Sequence, residues 1–139
     1  RLIGEACHFI DLLIFLNNSK INHYNIISTD DQNFTINVKF EDNSVGTIHY
    51  FSNGSKLFPK ERVEVFFDDK VLFLDNFRSL RGFGFNNFKK ISNWSQNKGH
   101  REIVKSFFNS IDNKLKNEMS FDDIFNVTKI SLDASKKIL

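Results

Sequence analysis

A single cysteine, Cys7, stands in 139 residues. That excludes an internal disulfide framework and a cysteine-rich zinc site. No apolar run approaches the ~20 residues that a membrane-spanning helix needs. Neither sign of charge dominates: 19 Lys and Arg against 17 Asp and Glu leave a net charge of +2, which demands neither a nucleic acid nor an anionic membrane as partner. Internal repeats, low-complexity tracts and an inner linker are missing as well. So is a Gly-rich dinucleotide turn, because Gly82-Phe83-Gly84 has no strand–turn–helix setting and lacks the third glycine.

What is present is the material of one globular domain. Hydrophobic residues make up 40% and charged residues 26%, enough for an ordinary core and incompatible with disorder. Phe is abundant at 17, and Lys and Asn outnumber Arg and Gln. This fits a nucleotide bias and carries no function. The same abundance of Asn produces N-x-[ST] triplets at Asn17, Asn33, Asn53, Asn93 and Asn126, with no signal peptide ahead of them. The sequence opens at Arg1 directly into an apolar helical pattern without an upstream cap, as expected of a piece cut from a longer protein.

The periodicities predict an α+β fold, a largely antiparallel open β-sheet with helices packed on one face. Gly4–Leu16 reads as a helix through Ala6, Phe9, Ile10, Leu13, Phe15 and Leu16, ended by Asn17-Asn18. Phe34, Ile36, Val38 and Phe40 alternate with Thr35, Asn37 and Lys39, a half-buried strand. A turn at residues 41–44 returns the chain through Val45–Phe51. Arg62–Phe67, Val71–Leu74 and residues 21–28 read as further strands, and 77–91 as weaker strand or loop. From Gly99 to Lys116, Ile103, Val104, Phe107, Phe108, Ile111 and Leu115 form an amphipathic stripe. Ser120 and Asp123 then predict a capping box opening a last helix, with Phe121, Ile124, Phe125, Thr128, Leu132 and Ser135 on its inner face.

The sharpest chemical feature is Gly4-Glu5-Ala6-Cys7-His8-Phe9-Ile10-Asp11. His8 and Asp11, three apart, lie on neighbouring positions of a helix surface. A carboxylate there holds an imidazole's orientation and suits it to proton transfer near neutrality. Glu5 stands at the same spacing before His8. Acid–His pairs are common on helices, so on spacing alone a histidine that merely satisfies a neighbour stays open. Cys7 points about 100° away from His8 and reads as a small core thiol.

This octapeptide resembles the second-domain helix of the glucose–fructose oxidoreductase/inositol dehydrogenase/MocA-type family, NAD(P)-dependent oxidoreductases of sugars and cyclitols with a G-G-x-x-x-D-x-G-x-H-x-x-D-like pattern. His8 matches that His, Asp11 the closing Asp and Ala6 the small residue. Gly4 falls where many members have the first Asp, which leaves open which acid does its work. Val38–Ile48 is similar to the family's F-x-D-G-S-x-G-x-I hairpin, with Asn43 for the turn Gly. Glu61–Phe66, Phe107 and the helix capped by Ser120 resemble the elements that follow. Phe58–Phe66 and Lys98-Gly99-His100 look most like a subgroup in which this half follows a zinc-type alcohol-dehydrogenase-like half.

The resemblance implies that residues 1–139 are the C-terminal substrate and oligomerisation domain of a two-domain cytoplasmic oxidoreductase of sugar or polysaccharide metabolism. An N-terminal Rossmann domain would bind NAD or NADP, which this fragment alone would not bind, and would supply a Lys from an E-K-P motif. His8 would be the catalytic acid/base, and Asp11 and Glu5 would contact a sugar or nucleotide-sugar substrate. No metal, nucleic acid or membrane is implied, the sheet would build a homo-oligomer, and the fragment would be inactive alone. The alternative is a non-catalytic oligomerisation scaffold.

A competing motif, Arg81-Gly82-Phe83-Gly84-Phe85-Asn86-Asn87-Phe88, nearly matches the RNP1 strand of RNA-recognition domains, with Arg78, Lys89 and Lys90 adding charge. The preceding sixty residues show strands and turns where that fold needs a helix, and Asn86 replaces the buried Val, so single-stranded RNA binding ranks last. His49 reads as structural or exposed, and His100 as a helix cap. Lys60 and Arg62 read as solvated charges that discourage edge pairing.

Overall fold

The computed structural model describes residues 2–112 and 120–138. The order of elements is a π-helical turn (Leu2–Ala6), α1 (Cys7–Asn17), β1 (Ile21–Asp30), β2 (Asn33–Phe40), β3 (Val45–Phe51), β4 (Arg62–Phe67), β5 (Lys70–Asp75), β6 (Ser79–Phe83), β7 (Ile91–Ser92), α2 (His100–Ile111) and α3 (Phe121–Ile138). The fold is α+β. Its strands form two antiparallel open sheets, β1-β2-β3 and β4-β5-β6-β7, rather than one continuous meander. The chain divides into two compact units, Arg1–Gly54 with Glu118–Leu139, and Ser55–Asn117.

The first unit has a closed core. The alternation in β2 puts Phe34, Ile36, Val38 and Phe40 on one face, all buried. Ile36 is flanked by Ile26 on β1 and Ile48 on β3, and Phe34 pairs with Tyr50, whose ring stacks on it at 5.0 Å. Leu2, Ala6, Ile10 and Ile14, spaced by four, form the buried stripe of the first helical segment, and Ile130 and Ala134 supply that of α3. Complete burial of a Phe or Ile side chain is worth ~1.5–3 kcal/mol. Gly46 leaves room for Leu13, whose Cδ1 lies 2.9 Å from where a Cβ would stand. Asn18 ends α1 in the left-handed conformation at φ 53°, its N–H donating to the Ile14 carbonyl at 2.9 Å.

The inner face of α3 differs from the sequence expectation. Phe121, Ile124, Phe125 and Leu132 are exposed, while Val127, Ile130, Ser131 and Ala134 face the core. The pattern favours the largest side chains, but the face of α3 that turns inward is the one that packs on the first helical segment, through Ile130, Ser131 and Ala134. The buried Ser131 hydroxyl stays satisfied by donating to the Val127 carbonyl at 2.7 Å. The predicted capping box is present: the Asp123 N–H donates to Ser120 Oγ at 3.1 Å, and the Ser120 N–H to Asp123 Oδ2 at 3.2 Å.

The second unit is an antiparallel meander with α2. Its central strand β5 is half-buried along its whole length. Aromatic rings at Phe67, Phe85 and Phe88 pack on one another at 5.3–6.1 Å. Gly82 is required here, because the Phe88 ring lies 2.6 Å from where a Cβ would be. The amphipathic stripe of α2 is present but exposed, with Phe107 at 61% and Ile103 at 64%. Leu115, expected to extend it, lies outside the described residues. Gly99, at φ 74°, is the N-cap of α2, so His100 is its first helical residue rather than the expected cap.

Candidate active site

His8 and Asp11 both lie in the regular part of α1, so the three-residue spacing puts them on neighbouring surface positions. His8 is exposed and Asp11 half-buried. The Asp11 carboxyl is held above its ordinary value, first by burial, next by the negative charge of Asp123, with the positive His8 pulling it back. Asp11 is therefore crowded by a second carboxylate, while His8 beside it favours its ionised form. Asp123 reaches this place because the Ser120 box starts α3 there, and α3 packs on α1.

Glu5 behaves differently from the expectation of a third group beside His8. It sits in the π-helical turn, where the hydrogen bonds run from i to i+5 and the α-helical three-residue relation does not apply. Its carboxylate accepts a hydrogen bond from the Tyr50 hydroxyl on β3. Tyr50 shares the inner face of β3 with Ile48, so the Tyr50–Glu5 bond links the π turn to the sheet. Cys7 is a half-buried free thiol on the same helix.

Sequence reasoning missed Asp123 and Tyr50 as members of this group. Strand parity places Tyr50 inward, but only the packing of helix on sheet brings it to Glu5. Asp123 was legible as a cap and not as a neighbour of Asp11. Among the described residues no group of three His, Cys, Asp or Glu side chains could hold a metal ion, and no helix is long and apolar enough to cross a membrane.

The other candidates each have surroundings of their own. His49 is on the outer face of the first sheet, its Nδ1 3.1 Å from the Thr35 hydroxyl and its ring stacked on Phe51. His23 lines a shallow concavity of about 320 Å³ on that same face, with Asn25, Asn37, Lys39 and Thr47. Arg62 pairs with Glu64 at 3.2 Å. The RNP1-like stretch lies in β6 and the turn after it. Its Arg81 sits over the Phe73 ring at 4.6 Å, and Phe85 and Phe88 are half-buried in the aromatic cluster rather than splayed as a stacking platform. Gly82-Phe83-Gly84 makes no dinucleotide cradle: Phe88 fills the space at Gly82, and a Cβ at Gly84 would stand 2.5 Å from the Asp69 carbonyl oxygen.

The chain is similar in fold to dehydrogenases. A dehydrogenase (MviM) from Clostridium difficile superposes over 99% of this chain with a TM-score of 0.73 at 21% identity. A UDP-N-acetylglucosamine 3-dehydrogenase, GnnA, from Acidithiobacillus ferrooxidans does so over 99% with a TM-score of 0.78 at 12% identity. The chain spans about half of each, 48% and 46% of their lengths. No family model and no curated protein matches it.

Proposed function

We propose that this chain is the C-terminal substrate and oligomerisation part of an NAD(P)-dependent oxidoreductase acting on a sugar or nucleotide-sugar, with His8 as the acid/base. The observation that carries the reading is the exposed His8 imidazole beside the half-buried Asp11 carboxylate on α1, in a chain whose fold matches half of a dehydrogenase. His8 accepts the proton of the substrate hydroxyl, since removing hydride from a neutral alcohol carbon without a base is costly. Asp11 orients the ring and stabilises the imidazolium that forms. Glu5, hydrogen-bonded by Tyr50, offers a carboxylate acceptor for a sugar hydroxyl.

In this reading NAD or NADP is held by a part of the protein outside residues 1–139. A cytoplasmic enzyme of sugar metabolism is the setting. The test is turnover of the complete protein on nucleotide-sugars: His8→Ala should lower kcat by ~10²–10⁴-fold with folding intact, and unchanged turnover would remove the acid/base role.

One observation favours a second reading, in which the domain serves assembly. The outer face of the first sheet is open and carries exposed Ile27, Val45 and Phe51 among its polar residues. In this reading copies of the chain associate through that face. Charge placed there, as in Val45→Glu, should lower the mass of the assembly measured by light scattering, and an unchanged mass would dismiss it.

A further inference from the structure

The second unit contains a turn that is expensive to hold. Two turns in this unit place consecutive non-glycine residues in the left-handed region. Between β4 and β5 these are Asp68 and Asp69, at φ 46° and 57°, a residue type that tolerates the region. Between β5 and β6 they are Asn76 and Phe77, at φ 50° and 49°. A bulky Phe there is an outlier, sustained only where the surroundings over-determine it.

The surroundings do so from two other segments. The Asn76 N–H donates to the Glu61 carbonyl at 2.7 Å, and the Asn97 N–H to the Phe77 carbonyl at 2.9 Å. Gln96 Nε2 donates to Asn76 Oδ1 at 2.5 Å. Lys98 Nζ lies 5.9 Å from the Phe77 ring centre and pairs at 2.6 Å with Glu61, whose side chain is nearly covered. The next residue, Arg78, is pinned on both backbone sides: its N–H donates to the Asp75 carbonyl at 2.9 Å, and its carbonyl accepts from the Asn93 N–H at 2.8 Å. The clamp therefore fixes where the Arg78 side chain begins.

Arg78 borders a groove of about 280 Å³ with Ser79, Lys90, Ser92 and Asp75. Ser79 and Ser92 stand directly opposite one another in the β6–β7 register. Arg62, Lys98 and Lys136 are matched with carboxylates, and Arg81 with the Phe73 ring. Among the described residues Arg78 and Lys90 have no carboxylate ion-pair partner. Asp75 lines the groove too, so its lining carries one net positive charge. It has a guanidinium fork, a second cation and two hydroxyls, the donor set that suits phosphoryl oxygens. Its volume is at the bottom of the ~300–1,000 Å³ of pockets that enclose a whole ligand, which suits a group rather than a complete molecule.

We propose that this groove, lined by Arg78, Ser79, Lys90 and Ser92, binds the phosphate or diphosphate group of a small ligand. The strained Asn76-Phe77 turn is the device that presents Arg78 to it.

The test is calorimetric titration of the complete protein with inorganic pyrophosphate, with ADP in parallel. Pyrophosphate should bind, Arg78→Ala should weaken it ~10-fold or more, and Lys90→Ala by ~3–5-fold. Lys89→Ala, removing an exposed cation that does not line the groove, should change it less than ~2-fold. Arg78→Lys, keeping charge without the fork, should fall between wild type and Arg78→Ala, and it covers the case in which the alanine variant melts early. ADP binding more tightly than pyrophosphate, with the same losses, identifies the source as a nucleotide, while equal affinities identify a free phosphate. No binding by the wild type, an unchanged affinity in a folded Arg78→Ala, or an equal loss in Lys89→Ala would overturn the proposal.

Discussion

The two units use the same strand chemistry to different ends. In the first, β2 buries every second residue to 2% exposure or less, because α1 and α3 cover one face of the sheet. In the second, β5 is half-buried on both faces, no residue of α2 is buried, and Trp94 is 96% exposed. A strand's alternation announces a face; whether that face becomes a core depends on the helices that cover it. The contrast also separates roles. The closed unit holds His8 and Asp11 on a rigid element, and the open unit offers grooves and apolar surface.

The sharpest way to break this comparison is to truncate one large side chain in each unit. Ile10→Ala should cost ~2–5 kcal/mol in urea unfolding, because Ile10 is completely buried against Ile130 and the sheet. Trp94→Ala should change stability by less than ~0.5 kcal/mol. Equal costs would mean that the second unit has a core of its own. A smaller effect is expected at the α3 cap. Ser120→Ala removes the acceptor for the Asp123 N–H and should cost ~0.5–2 kcal/mol in the same measurement.

Much of this architecture was legible in the sequence where a local rule decides it. The β2 alternation, the turn at residues 41–44 and the Ser120–Asp123 box are each fixed by neighbours within a few positions. The α3 inner face was not, because Ser131 and Ala134 look unremarkable until another helix has to approach closely. Likewise the exposure of the α2 stripe depends on what covers it, which no periodicity records. In the site, the neighbouring positions of His8 and Asp11 on α1 follow from helical spacing. Glu5 departs from that spacing because its turn is π-helical, and its Tyr50 partner is 45 residues away.

The smallest expected effect lies in pH dependence. The Asp11 carboxyl is raised above 3.8 in the folded chain, so the folded state keeps a proton that the unfolded state has released. Its contribution is therefore present below about pH 3.8 and is lost as pH rises through the raised folded-state value. Asp11→Asn should leave Tm unchanged near pH 3 and raise it slightly at pH 7. A fall in Tm at pH 7 would show that the carboxylate is stabilising and that the burial and Asp123 repulsion are outweighed.

The central claim, that His8 transfers the proton and Asp11 supports it, is tested most directly by the pH profile of kcat/KM for the complete protein. The profile of the wild type should fall on its acid side as one group takes up a proton. That limb should disappear in His8→Ala, with kcat/KM lowered ~10²–10⁴-fold. A His8→Ala enzyme that keeps both the limb and its rate would contradict the account.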